Sequence, residues 1–179
     1  MYFPQLRRLG SFDINPLAIK LLDSWLAIQR QAVLRNLSPM SFSKQSDVDM
    51  DLAIDMFSLS STPQVGVLKP IFKSICPNCD SVNGSFSSLE EVPFEKIICK
   101  HCEYEYSPRS REDQIEIVFE RCLTPEQPLS SNVENIINTR PGGNRGKEQS
   151  LRVSDIKQHP SNARRHLISK LDSRYEAAQ

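Results

Sequence analysis

No stretch of this chain approaches the ~20 consecutive apolar residues that a bilayer-crossing helix needs, so a membrane span is not expected. The first residues, Met1-Tyr2-Phe3-Pro4-Gln5-Leu6-Arg7-Arg8, lack the apolar core of a secretory signal. Histidine is scarce: His101, His159 and His166 are the three, which leaves few general bases. Gly-x-Ser-x-Gly, a Walker-type loop and His-Glu-x-x-His are all missing, and an enzyme is not expected. Net charge is missing as well, with 22 basic and 22 acidic residues. Glycine (6) is outnumbered by proline (12), and 39% of the 179 residues are hydrophobic. That composition describes folded cores with extended connections, in one ordinary domain or two small ones plus a tail.

Against these scarcities stand two Cys-x-x-Cys pairs, Cys76-Pro77-Asn78-Cys79 and Cys99-Lys100-His101-Cys102, separated by 19 residues. A Cys-x-x-Cys turn delivers two thiolates from one tight knuckle, and two knuckles complete the tetrahedron of soft ligands that zinc prefers. The spacing therefore predicts one Zn2+ held by Cys76, Cys79, Cys99 and Cys102. A disulfide framework would require an oxidising compartment, whereas the expectation here is a cytoplasmic chain with reduced thiols. A thioredoxin-like motif would place one Cys-x-x-Cys ahead of a helix, whereas these two follow strand-like runs. His101 could replace a thiolate, but four cysteines already close the shell, which leaves it solvated. Cys122, at the end of a strand-like segment, reads as a small buried apolar residue. Because a closed shell leaves no position for water or substrate, the zinc is expected to be structural.

Upstream, Asn15-Pro16 reads as the start of a helix. Leu17, Leu21, Leu22, Trp25, Ile28, Ala32 and Val33 give it one apolar face to about Arg35. Trp25 is read as core, with a partner anchor as the alternative. Residues 36–43 suggest a turn with at most one helical turn. A further helix, capped by Ser46 or Asp47, is expected to run to about Leu59 through Val48, Leu52, Ala53, Met56 and Phe57. Asp47-x-Asp49-x-Asp51 superficially suggests a calcium loop, but Leu52 stands where that loop needs glycine. Strand-like runs lead into both knuckles, and Gln114 to Glu120 forms another strand candidate, the last of the ribbon sheet.

Charge is asymmetric along the chain. Ser85 to Glu120 carries nine acidic and four basic residues, whereas Arg140 to Gln179 carries nine basic and four acidic. Residues 123–150 read as a polar linker, with a short apolar knot at Val133, Ile136 and Ile137. Residues 151–179 read as a basic amphipathic segment of short helices, built on Val153, Ile156, Leu167, Ile168 and Leu171, with Ser161 as a cap. The candidate partner-binding set is Arg164, Arg165, Leu167, Ile168, Lys170, Leu171 and Arg174. Three uses are open for that segment: pairing with the acidic ribbon, docking on another protein while folding, or touching nucleic acid.

The knuckles and their flanking strands resemble a zinc ribbon over residues 70–122. The preceding order, helix, short helical turn, helix, then extended chain, resembles a winged helix-turn-helix over residues 14–75. The expected fold class is therefore α+β: a helical winged-helix-like module, a small antiparallel zinc ribbon, and a flexible C-terminal tail with short helices. A winged helix implies DNA binding, but the candidate recognition helix holds Asp47, Asp49, Asp51 and Asp55 and no basic residue. Carboxylates a few ångströms from phosphate are repelled and must also be desolvated, so protein contacts are the better expectation. The combined layout resembles small adaptor components of bacterial multi-gene defence systems. That resemblance implies a non-catalytic subunit with protein partners in a larger complex. The alternatives are a nucleic-acid-binding regulator, or an accessory subunit of a nucleic-acid-processing enzyme, using the basic C-terminal segment.

Overall fold

The computed structural model describes residues 1–126 and 150–168. Its chain begins with a 3-10 helix at Pro4–Phe12, whose Leu6 and Leu9 are buried. The start of that helix is held by Asp23, whose buried carboxylate accepts the Tyr2 and Phe3 main-chain N–H groups at 2.9 and 2.7 Å. Three α-helices follow: α1 (Pro16–Ala27), α2 (Pro39–Ser46) and α3 (Met50–Ser60). Each is started by a short polar side chain that accepts an otherwise orphaned N–H: Asn15 from Leu17, Ser38 from Met40, Asp49 from Leu52. Pro16 and Pro39 occupy the first turns of α1 and α2, where a missing N–H is harmless.

Two helix boundaries differ from the sequence expectation. Helix α1 stops at Ala27, eight residues short of Arg35, because the chain must turn to bring Leu34 and Leu37 alongside a strand. Its buried face is accordingly Ala18, Ile19, Leu22, Trp25 and Leu26, while Leu17 is exposed. Residues 39–46 form a full two-turn helix rather than a single turn. Asp47 closes α2 in the left-handed conformation (φ 52°), so the cap of α3 falls to Asp49. Trp25 lies in the core, edge-on to Phe42 and Phe57 with centroids 5.5 and 5.9 Å away, and donates Nε1–H to Gln45. Phe57 meets Phe119 at 5.3 Å, which carries the aromatic cluster from the helices to the sheet.

The sheet is antiparallel with strand order β2-β1-β5, comprising β1 (Leu68–Ile75), β2 (Val82–Phe86) and β5 (Ile115–Arg121). A separate two-stranded hairpin pairs β3 (Ile97–Ile98) with β4 (Glu105–Tyr106). Pro70 sits within the middle strand, a position that normally loses a ladder bond. Here it faces Phe119, whose N–H and carbonyl both bond Leu37 on the far side of β5, so that pair exchanges no bond across β1–β5. On its other side β2 pairs only from Phe72 onward, so the missing N–H leaves no neighbour unsatisfied.

Strand β5 is not an edge. Its outward N–H groups are taken by carbonyls from both ends of the chain: Ile117 by Leu151, Phe119 by Leu37 and Arg121 by Leu34. Two short helices follow Leu151, α4 (Val153–Gln158) and α5 (Asn162–Ile168). Val153, Ile156 and Leu167 are buried in the same apolar cluster as Phe3, Trp25, Phe72 and Phe119. Ser161 accepts the Arg164 N–H at the start of α5, as the sequence suggested.

Helix α5 is clasped to α3. Arg164 is only 4% exposed, and its guanidinium donates to Asp55 Oδ1 (2.6 Å), to the side chain and carbonyl of Asp51, and to the His159 carbonyl. Ser161 donates to Asp55 as well. The four aspartates of this region thus each have a structural partner or place: Asp47 ends a helix, Asp49 begins one, and Asp51 and Asp55 hold Arg164. No described helix is long and apolar enough to cross a membrane.

Removing the clasp should be measurable. Arg164→Met is expected to lower stability by about 2 kcal/mol, mostly through the half-buried Asp55, because exposed Asp51 regains water. Urea titration reads the change, and unaltered stability would show that α5 adds nothing to the fold.

His166, also on α5, places Nδ1 against the Ala163 carbonyl and Nε2 against Ser61 Oγ at 2.9 Å. Burial pushes its imidazole below the ordinary value. A base depressed in the folded state contributes stability above its unfolded pKa of about 6.5 and loses it as pH falls through the lowered folded value. Wild-type stability should therefore drop on acidification below that point more steeply than that of His166→Gln; parallel curves would contradict the assignment.

Candidate metal centre

Each cysteine pair occupies the turn of a hairpin. Cys76–Cys79 lies between β1 and β2, and Cys99–Cys102 between β3 and β4. The two turns repeat one hydrogen-bond pattern. Cys76 N–H donates to the Ser81 carbonyl (2.9 Å) and Asp80 N–H to the Cys76 carbonyl (3.0 Å). Cys99 N–H donates to the Tyr104 carbonyl (2.9 Å) and Glu103 N–H to the Cys99 carbonyl (3.0 Å). The residue that reverses each chain, Asp80 or Glu103, adopts positive φ, 56° and 58°. That conformation disfavours a β-carbon, and short or polar side chains tolerate it better than branched ones.

The hairpins face each other and bring all four Sγ atoms within 4.8 Å of one another. Two contacts run between the knuckles, Cys76 to Cys102 and Cys79 to Cys99, both at 3.6 Å. A disulfide would need ~2.05 Å, whereas a tetrahedron of sulfurs about 2.3 Å from a central zinc has edges of about 3.8 Å. The donor set and its spacing therefore fit a tetrahedral thiophilic metal ion. All four cysteines are free thiols, with Cys76 and Cys99 buried and Cys79 and Cys102 half-buried.

Residues around the sulfurs bias their charge. Burial pushes the Cys76 thiol up to about 11, against main-chain N–H groups that favour its thiolate. The Ser81 hydroxyl draws Cys99 down to about 5, and the Asn78 side chain lowers Cys102. Four adjacent sulfurs compete for negative charge, so some are held as thiolates more readily than others. A bound dication removes that opposition, since its field favours the deprotonated form of every ligand. Ser81 Oγ lies 3.0 Å from Cys79 and 3.4 Å from Cys99, and His101 N–H points to Cys99 at 3.4 Å. The His101 residue is itself exposed and outside the cluster, as expected.

A polar relay joins the hairpins behind the cysteines. Buried Tyr106 exchanges a hydrogen bond with Ser74 at 2.9 Å and accepts one from Asn83 Nδ2 at 3.2 Å. Asn83 in turn accepts the Lys100 N–H at 3.1 Å. Sequence reasoning assigned no site role to Ser74, Asn78, Ser81, Asn83 or Tyr106. The one available signal was position: small polar residues within or close to the first Cys-x-x-Cys pair.

Cys122 departs from expectation. It is exposed, because its N–H closes onto the Val67 carbonyl at the end of the sheet and its side chain points away from the core. Of the candidate partner-binding residues, Arg164 and Leu167 are buried against the chain's own helices and Arg165 is exposed. The Ile168 side chain, Lys170, Leu171 and Arg174 lie outside the described residues, as do 127–149 of the expected linker with Val133, Ile136 and Ile137. Residues 123–126 are described, and Glu126 N–H bonds the Tyr2 carbonyl. Lys157 pairs with Glu112, one contact between the basic segment and the acidic stretch. No family model, curated protein or solved structure matches the chain.

Metal removal tests the site directly. Cobalt-loaded protein should show the intense visible bands of a tetrahedral tetrathiolate, and Cys99→Ser should lose them. The cysteines and Tyr106 form a cluster of their own, apart from the main core. Hydrogen exchange in Cys99→Ser should therefore accelerate at 76–82 and 97–106 while α1, α3 and β5 stay protected. Melting of the helices together with the knuckles would mean the metal supports the whole core.

Proposed function

We propose that this chain is a non-catalytic adaptor or accessory subunit in which one structural zinc shapes a surface for other proteins. The observation that carries the reading is the closed four-sulfur cluster. A tetrahedral ion there has no coordination position left for water or substrate, so its contribution is to hold two hairpins together. The surface of those hairpins supports the choice of partner. Among the described residues seven large hydrophobic side chains are exposed, and four of them, Val82, Phe94, Ile98 and Tyr104, belong to the segment carrying the knuckles. Phe94 and Ile98 are 69% and 67% exposed, in a net-acidic stretch that carries Glu90, Glu91, Glu95, Glu103 and Glu105 beside Lys96, Lys100 and Arg109, whose guanidinium lies 5.1 Å over the Phe94 ring. Aromatic and aliphatic groups within an acidic surround suit a protein with complementary basic and apolar groups, and repel a phosphate backbone.

A second reading, a nucleic-acid-binding regulator or accessory subunit of a nucleic-acid-processing enzyme, draws on the basic C-terminal segment. Arg164 weakens it, since that charge is neutralised internally by Asp51 and Asp55. A setting in a bacterial multi-gene defence system is a narrower version of the adaptor reading and rests on the sequence layout alone.

The experiment is stoichiometric co-purification of tagged full-length chain from its native cells with nuclease treatment, alongside Phe94→Ser/Ile98→Glu. The expected outcome is a nuclease-resistant protein complex with one zinc per chain, reduced at least roughly ten-fold in the double variant with zinc retained. Partners lost on nuclease treatment, with binding to mixed-sequence nucleic acid that falls steeply with salt, would replace the adaptor reading by the second one.

A further inference from the structure

A groove of about 580 Å³ runs between the first turns of α2 and α3 and the segment that leads into α4 and α5. Its apolar wall is Pro39, Met40, Met50, Ile54 and Leu151. Its size lies in the range of small-molecule sites, and its walls come from segments that are distant in sequence but fastened together by the Arg164 clasp and the β5 bonds. The two methionines supply flexible, polarisable contacts that adapt to a varied apolar shape.

The charged groups in the wall are not balanced alike. Arg164 is satisfied by Asp51 and Asp55. Asp155 accepts the Arg152 main-chain N–H at 2.8 Å. The Arg152 side chain, half-buried in the same wall, makes no ion pair among the described residues, and its Nη1 is sealed from solvent without a hydrogen bond. A guanidinium that has lost part of its hydration without gaining a counter-charge is a cost to the fold, and an anion would relieve it. Asp51 and Asp155 in the same lining oppose a second negative charge, which favours a monoanion over a phosphate dianion. A planar carboxylate matches the guanidinium fork, and the methionine wall asks for an apolar body behind it.

We propose that this groove binds a small organic monocarboxylate with an apolar body, anchored by Arg152. The site is separate from the cysteine cluster and does not rest on the adaptor reading.

The test uses zinc-loaded full-length protein labelled at the methionine methyl groups, titrated with 4-methylpentanoate, its uncharged amide and inorganic phosphate. Met40 and Met50 line the groove, Met56 is fully buried, and Met1 lines a different groove beside Arg7 and Lys20, so the four methyls report location. Met40 and Met50 are expected to shift saturably with the carboxylate below about 10 mM, with the amide and phosphate each at least roughly ten-fold weaker. Arg152→Gln should reduce the carboxylate to the level of the amide. Met40→Glu, which puts a like charge across the groove, should do the same by Met50, and an unmoved Met56 signal certifies the fold of both variants. Equal binding of acid and amide, stronger binding of phosphate, shifts confined to Met1, or full affinity in Arg152→Gln would each overturn the proposal.

Discussion

Everything in this fold depends on the main-chain hydrogen bonding of β5. One side of the strand pairs with β1 from Leu68 to Ser74, and the other donates N–H groups to the carbonyls of Leu34 and Leu37, before α2, and of Leu151, before α4. A strand open on one side would present unpaired N–H and C=O groups to other chains. Here two remote segments, 34–37 and the one at Leu151, take its outward N–H groups, so the helices, the sheet and the C-terminal helices share one apolar core. Phe119 sits at the centre, with its backbone bonded to Leu37 and its ring against Phe57.

The metal centre is an outgrowth of that arrangement. Strand β1 belongs to the core sheet over most of its length and then delivers Cys76 at its end. The second knuckle hangs on a hairpin of two residues per strand, too short for independent stability. Cross-knuckle sulfur contacts and the Ser74–Tyr106–Asn83 relay join it to the first. A bound ion would contribute most where the polypeptide contributes least, which is the physical sense of a structural metal site.

The acidic residues around Asp51 acquire a different meaning in three dimensions. As a sequence they form a recognition helix that phosphate would repel. In the fold two of them hold a buried arginine from more than a hundred residues away, and that clasp also builds one wall of the Met40–Met50 groove. Burying Arg164 without two carboxylates would leave a desolvated charge, so the aspartates and the C-terminal helices are coupled.

Local chemistry made part of this legible from the sequence. Cys-x-x-Cys spacing brings two thiolates to one side of a turn, so the four cysteines of the cluster could be named before any fold. Asn15-Pro16 and Ser161 start helices through bonds to residues two or three positions on, and the mixed α+β character follows from the periodicities. What failed depended on partners far along the chain. Helix α1 ends early because Leu34 and Leu37 bond to β5, and Cys122 is exposed because its strand closes onto Val67. Strand β5, expected at the end of a ribbon, became the shared strand of the core. Asp51, Asp55 and Arg164 find each other only after the sheet has brought both ends of the chain together. Main-chain pairing and buried charge are decided by long-range geometry, whereas caps and metal knuckles are decided within a few residues.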